Sequence, residues 1–181
     1  MKRKSYAEMN CPIARSLEEI GEWWSILVLR DAFHGMTRFD EFETSLGIAP
    51  NMLTKRLATL VENGLLEKRP YSTKPLRHEY VLTPKGTDFY GVLLSLVSWG
   101  NRHVMDKGEQ SILLEDRDSG EVFDPQLFNP KTLKPVTSRS VRIIPGPGAT
   151  DKTLARLAMR TKKAEEKSET KPREKSGRAR S

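Results

Sequence analysis

The sequence predicts a mainly α-helical domain that carries one small β-hairpin. Three observations predict it. Apolar residues recur at three- and four-residue steps through four segments between Pro12 and Asn63. Two strand-like pieces flank a polar tip broken by Pro75, and a long apolar stretch then runs from Thr83 to Met105.

Residues 1–10 read as a loose arm. From Pro12 to about Glu22, Ile13, Leu17 and Ile20 share a helical face, with proline in the first turn. Trp23 to Phe33 is apolar nearly all round, the mark of a helix in the middle of a core, and His34-Gly35 ends it. A short third helix is expected from Thr37, which with Asp40 makes a capping-box pattern; Phe39, Phe42 and Leu46 form its core stripe and Gly47 closes it. Only Gly47, Ile48 and Ala49 separate it from Pro50, which is pre-set for a helix start. Helix, three-residue turn, helix is the spacing of a helix-turn-helix.

The fourth helix, Pro50 to about Asn63, has two unlike faces. Leu53, Leu57, Leu60 and Val61 fall on one; Asn51, Thr54, Lys55, Ala58, Thr59 and Glu62 fall on the other, with Arg56 on the flank. Its exposed N-terminal half offers an amide, a hydroxyl and an ammonium, groups suited to base edges and phosphates, and the helix dipole there favours phosphate too.

The strands are expected at Leu65–Tyr71 and Arg77–Thr83, joined by Ser72-Thr73-Lys74-Pro75-Leu76, a loop longer than a tight turn. Appended to a helix-turn-helix, such a hairpin is a wing, and Lys74 and Arg77 place charge on it. The last helix, Thr83 to about Met105, is apolar over more than half its circumference, leaving a narrow strip of Gly91, Ser95 and Ser98. One small domain cannot cover that surface alone, which points to a second copy; burial under the C-terminal segment is the alternative.

Residues 108–149 read as a β-rich appendage containing Ile112-Leu113-Leu114, Val122-Phe123 and Val141–Ile144, and closed by a Pro145-Gly146-Pro147-Gly148 linker. Leu154, Leu157 and Ala158 fit a short helix, and Lys162–Ser181 has the composition of a disordered tail. The folded body is thus 11–107, with 150–181 a basic tail.

Charge and composition narrow the function classes. The formal charge of +7 is unevenly spread: residues 150–181 carry 11 Lys/Arg against 5 Asp/Glu. Within the near-neutral remainder, Lys55, Arg56, Lys68, Arg69, Lys74 and Arg77 face only Glu62 and Glu67 over residues 50–77. That is the footprint of a phosphate-binding face or, on charge alone, an ordinary solvated surface. Hydrophobic residues make up 36%, so part of the chain is expected to stay unpacked. No apolar run nears the ~20 residues of a membrane span, and Met1–Ser5 is not followed by a leader's apolar stretch. One cysteine excludes an internal disulfide and fits a reducing compartment, so a cytoplasmic location is expected. His34, His78 and His103 have no second ligand at helical spacing, no phosphate loop or nucleophile elbow is present, and neither enzyme, metal nor cofactor is expected.

From Cys11 to Gly100 the chain resembles the HxlR family of bacterial winged-helix regulators, relatives of the MarR group. The matching residues are Cys11-Pro12, Ile20-Gly21 before Trp24, Leu29-Arg30, Gly35 with Arg38-Phe39, Met52-Leu53-Thr54 with Arg56-Leu57, and Gly64-Leu65. They continue with Arg69 before Tyr71, Glu79-Tyr80, Leu82-Thr83-Pro84, Gly86 and Trp99-Gly100. Each is weak alone; their order and spacing together are specific. The resemblance implies a homodimeric DNA-binding transcription factor, with the fourth helix in the major groove. Family members usually have a basic residue where Trp23 stands and many a serine where Ala49 stands. Longer relatives carry paired cysteines in an appendage that here has none.

The sequence-based expectation is therefore a sequence-specific regulator of double-stranded DNA, more in keeping with a repressor, binding a pseudo-palindromic operator as a homodimer. A non-specific basic protein acting through its tail is the competing reading, and a winged helix used only for protein contacts a third. Arg38, Pro50, Asn51, Thr54, Lys55, Arg56, Thr73, Lys74 and Arg77 are the expected DNA contacts. Ile13, Leu17, Val92, Leu93, Leu96, Val97 and Trp99 are the expected subunit contacts. Cys11, at the start of the first helix, is either a buried structural thiol or a reactive one, since the dipole favours its thiolate. In some family members a cysteine at this position senses oxidants or electrophiles.

Overall fold

A computed structural model of the chain describes residues 5–159. Cys11 caps α1 (Pro12–Ile20), which ends two residues before the expected Glu22. Gly21 takes φ +88° there, donating its N–H to Leu17 O, and frees Glu22 to open α2 (Trp23–Phe33). Of the all-round apolar α2, only Ser25, Val28, Leu29 and Asp31 are buried; Trp23, expected inside, is 78% exposed.

The third helix starts later than expected. α3 spans Phe39–Leu46, and Glu41 rather than Asp40 closes its first turn, its carboxylate accepting from the N–H groups of Thr37 and Arg38 at 2.8 and 2.9 Å. Gly47 at φ +61° ends α3, buried Ile48 pins the turn, and Pro50 opens α4 (Pro50–Glu62) from Ala49. Val28, Leu29, Phe42, Leu53, Leu57 and Leu60 are fully buried where α2, α3 and α4 meet. This core fixes the angle at which α4 shows its other face.

β1 (Leu66–Thr73) and β2 (Leu76–Leu82) pair antiparallel from Leu66↔Leu82 to Thr73↔Leu76, with a bulge between Pro70 and Ser72. The expected five-residue loop is wrong: the strands climb to the tip, and Lys74-Pro75 alone joins them, through a cis peptide bond. The wing is fastened at its base, where Tyr80 donates its N–H to Thr37 O at 2.7 Å and Arg38 bridges Glu79.

One long helix was expected after Thr83; two are present, α5 (Pro84–Asp88) and α6 (Tyr90–His103). Thr83 Oγ1 accepts from Gly86 N–H, and the ladder tightens at Phe89, whose N–H reaches back only to Gly86 O. Phe89 thereby packs against the core. Two expectations for α6 are corrected. Leu93, assigned to a subunit interface, is buried in the chain's own core, and Ser98, assigned to a narrow polar strip, is 2% exposed. The core takes Leu93, while Ser98 lies on the side of α6 that the C-terminal appendage covers; Val97 faces the appendage as well.

That appendage is less β-rich than expected. Its regular structure is β3 (Leu114–Glu115) paired with β4 (Val122–Phe123) and one bridge, Phe128↔Pro135; residues 141–144 form no strand. Residues 151–159 are helical, as their apolar spacing suggested. They return to the N-terminus, where Asn10 Nδ2 donates to Gly148 O at 3.0 Å and Thr153 Oγ1 donates to Asn10. The described part of the expected arm, residues 5–10, is not loose either: Ser5 Oγ and Tyr6 N–H both donate to the Glu18 carboxylate. The disordered tail expected over 162–181 lies outside the described residues. No described helix is long and apolar enough to cross a membrane.

Candidate nucleic-acid interface

α4 and the wing each present exposed polar side chains. Pro50, Asn51, Thr54 and Lys55 are exposed on the outer face of α4, opposite buried Leu53 and Leu57. Thr54 Oγ1 donates to Pro50 O at 2.8 Å, which holds its rotamer and leaves the oxygen's lone pairs outward. Asn51 and Lys55 make no hydrogen bond or ion pair among the described residues, so their polar groups are available to a ligand.

Four of the six basic residues between 50 and 77 stay uncompensated. Lys55, Lys68, Lys74 and Arg77 have no carboxylate within ion-pair distance among the described residues, whereas Arg69 pairs with Glu67 at 2.7 Å. The Arg69 hydrogen bond holds the Glu67 carboxyl below its ordinary range. Thr73, Lys74 and Arg77 are all exposed at the wing tip. Arg38 is tied to the wing: its guanidinium lies 4.7 Å above the Tyr71 ring, and its backbone bridges Glu79. Tyr71, at the bulge, was not among the expected site residues. Its partner lies 33 positions back in the chain, and no local pattern advertises that contact.

Arg56 does not belong to this surface. Its guanidinium turns inward, 13% exposed, onto the Glu22 carboxylate at 2.5 Å and the Met52 sulfur at 3.2 Å. The expected phosphate contact is thus an intrachain ion pair tying α4 to the start of α2. Arg56→Ala should therefore destabilise the fold, by about 1–3 kcal/mol for a charged hydrogen bond. It should leave the salt dependence of DNA binding unchanged. Lys55→Ala should do the reverse: unchanged unfolding, and a salt slope reduced by about one unit per subunit. Denaturant unfolding and DNA titrations at three salt concentrations check both.

The expected subunit contacts split. Ile13, Leu17, Val92, Leu96 and Trp99 are 73%, 46%, 47%, 46% and 55% exposed. Ile13, Leu17, Phe89 and Val92 line an open apolar groove between α1 and α5–α6, while Leu93 and Val97 face inward. Cys11 is half-buried at the N-cap of α1, in a cavity shared with Arg15 and Arg156. The backbone N–H groups at the start of α1, that of Ala14 above all, lower the thiol pKa, with a smaller contribution from the Arg156 guanidinium. No cluster of three or more His, Cys, Asp or Glu side chains suited to a metal exists among the described residues.

A helix-turn-helix whose second helix shows a polar face beside a basic hairpin defines a winged-helix transcriptional regulator. The chain belongs to the HxlR-like helix-turn-helix family, whose model matches residues 19–108. It is 40% identical over 136 residues to the HTH-type transcriptional regulator Rv3095 of Mycobacterium tuberculosis, covering 75% of this chain and 86% of that one. Among solved structures it is similar to PA1607, a candidate transcription factor, at a TM-score of 0.70 and 37% identity, covering 78% of this chain and 99% of that one. PA1374 of Pseudomonas aeruginosa, also a candidate transcription factor, is 51% identical at a TM-score of 0.58, covering 81% and 99%. The resemblance read from the sequence motifs is borne out.

Proposed function

We propose that the protein is a sequence-specific repressor acting in the cytoplasm, gripping a pseudo-palindromic operator as a homodimer. In each subunit α4 reads the major groove and residues 72–77 track the neighbouring backbone as a wing. The observation that carries this reading is the outer face of α4, where Asn51, Thr54 and Lys55 stand exposed, in a chain whose wing also exposes the uncompensated charges of Lys74 and Arg77. Arg38, Pro50 and Thr73 are exposed as well and complete the proposed contacts. Amides and hydroxyls on a reading helix discriminate bases, while lysines on its margin hold phosphates.

The test is selection of DNA from a random pool by the purified full chain, followed by titration of the selected site. Asn51→Ala and Thr54→Ala should lower discrimination by about 1–3 kcal/mol at the affected base pair. Unchanged discrimination in both variants would remove α4 as the reader. Truncation after residue 159 should leave the specific site bound; loss of all binding would favour the tail-driven, non-specific alternative. Placing the selected site over a promoter and measuring transcription with the full chain separates repression from activation.

Cys11 is proposed to be a reactive thiol through which oxidants or electrophiles act on this repressor. Its lowered pKa puts more of it in the thiolate form at neutral pH than a free cysteine. Iodoacetamide should therefore alkylate it with a rate-versus-pH midpoint below that of free cysteine, and Arg156→Ala should move the midpoint upward. A midpoint at or above the free value would return Cys11 to a structural role. A disulfide to its twin further requires the two Cα atoms to come within about 7 Å.

A further inference from the structure

Two clefts of about 320 and 310 Å³ lie between α6 and the appendage, and both are lined by Ser98 and Arg102. Ser98 is 2% exposed, and its hydroxyl has no hydrogen-bond partner among the described residues. A buried hydroxyl left unmade costs free energy, and folded proteins rarely keep one without a use for it. Other donors around it are also uncommitted. Gln110 spends only its carbonyl oxygen, on the N–H of Gly108, so its amide N–H groups are open. Arg102 uses Nε on Ser98 O, while Nη1 stands 3.6 Å from Asp124, beyond hydrogen-bond length.

We propose that the cleft of about 320 Å³ binds a small apolar carboxylate. Its far wall, formed by Val97, Leu113, Leu114, Val122 and Phe123, suits an aliphatic or phenyl body. Its lining also holds the Arg102 guanidinium, the Gln110 amide and the buried, unsatisfied Ser98 hydroxyl, donors suited to one acceptor-rich anionic group. Asp124 is the one acid lining either cleft, and its loose contact with Arg102 leaves the guanidinium fork able to take a better-placed carboxylate. The volume of each cleft lies at the lower end of the range of small-molecule sites, about 300–1,000 Å³. This site is independent of the reading of α4, because it occupies the appendage side of α6 and needs no DNA to be filled.

The experiment is calorimetric titration of the full chain, without DNA, using phenylacetate and hexanoate with phenylacetamide and hexanamide as uncharged counterparts. At least one acid should bind saturably, and its amide should bind roughly tenfold weaker or worse, as expected when a charge-assisted hydrogen bond becomes a neutral one. Arg102→Gln should bring acid and amide within about twofold, since the charge that separates them is gone. Ser98→Ala should weaken the acid several-fold while the ligand-free protein melts no lower, because the lost hydroxyl was unsatisfied. Failure of both acids to saturate below about 10 mM would overturn the proposal. So would an acid preference that survives Arg102→Gln, or an acid affinity untouched by Ser98→Ala.

Discussion

Gly86→Ala is expected to destabilise the fold by about 3 kcal/mol or more, at the upper end of overpacking substitutions. A Cβ at Gly86 would stand 2.1 Å from Leu65 O and 3.1 Å from Leu65 C, with Leu82 Cδ2 at 3.1 Å. The two Leu65 atoms belong to the backbone, so a rotamer change at Leu82 cannot relieve the clash. Leu65 O is moreover in use: it accepts from the N–H of Thr83 at 3.1 Å, while Thr83 Oγ1 donates to Gly64 O and accepts from Gly86 N–H. Moving either chain breaks this joint between α5 and the start of β1, and with it the seat of the wing. Urea unfolding of the variant should show a clearly lower midpoint. A midpoint within experimental error of the unmodified chain would mean that α5 does not lie against Leu65 as described.

Leu96→Glu and Trp99→Glu are expected to yield folded monomers whose affinity for a palindromic operator falls by about 10²–10⁴-fold, the avidity a second linked module supplies. Both side chains stand about half exposed on the outer side of α6, on the same helix as exposed Val92. Ile13 and Leu17 continue this apolar surface on α1. Contiguous apolar surface of this kind marks a contact site, and a carboxylate in its middle must be desolvated or keep the partner away. Val97→Glu is a different experiment, since Val97 faces the appendage and would report folding rather than assembly. Sedimentation velocity and operator titration together decide the matter. An unmodified chain that sediments as a monomer at micromolar concentration would end the dimer proposal.

Much of the architecture was legible from local chemistry. Pro12, Pro50 and Pro84 stand in first turns, Gly47 ends α3 in the left-handed conformation, and the leucine spacing of α4 chooses its buried face. These signals act within one or two turns of helix, so a linear reading captures them. Errors of one or two residues arose where neighbouring signals compete. Glu41 displaced Asp40 in the first turn of α3, and strand pairing extended into the expected wing loop as far as Lys74-Pro75.

Residue identities by themselves thus determined the helix-turn-helix, the wing and the polar outer face of α4, because periodicity and capping are properties of adjacent residues. Only the tertiary structure decided which polar side chains that surface keeps. On the helical wheel Arg56 flanks the reading face, yet Glu22, 34 positions away, draws it inward. Leu93 reads as a subunit contact and Ser98 as part of a polar strip until the core takes one and the appendage lies over the other. In each case the deciding partner is distant in the chain, and a charge or an apolar surface settles against whatever the fold brings to it.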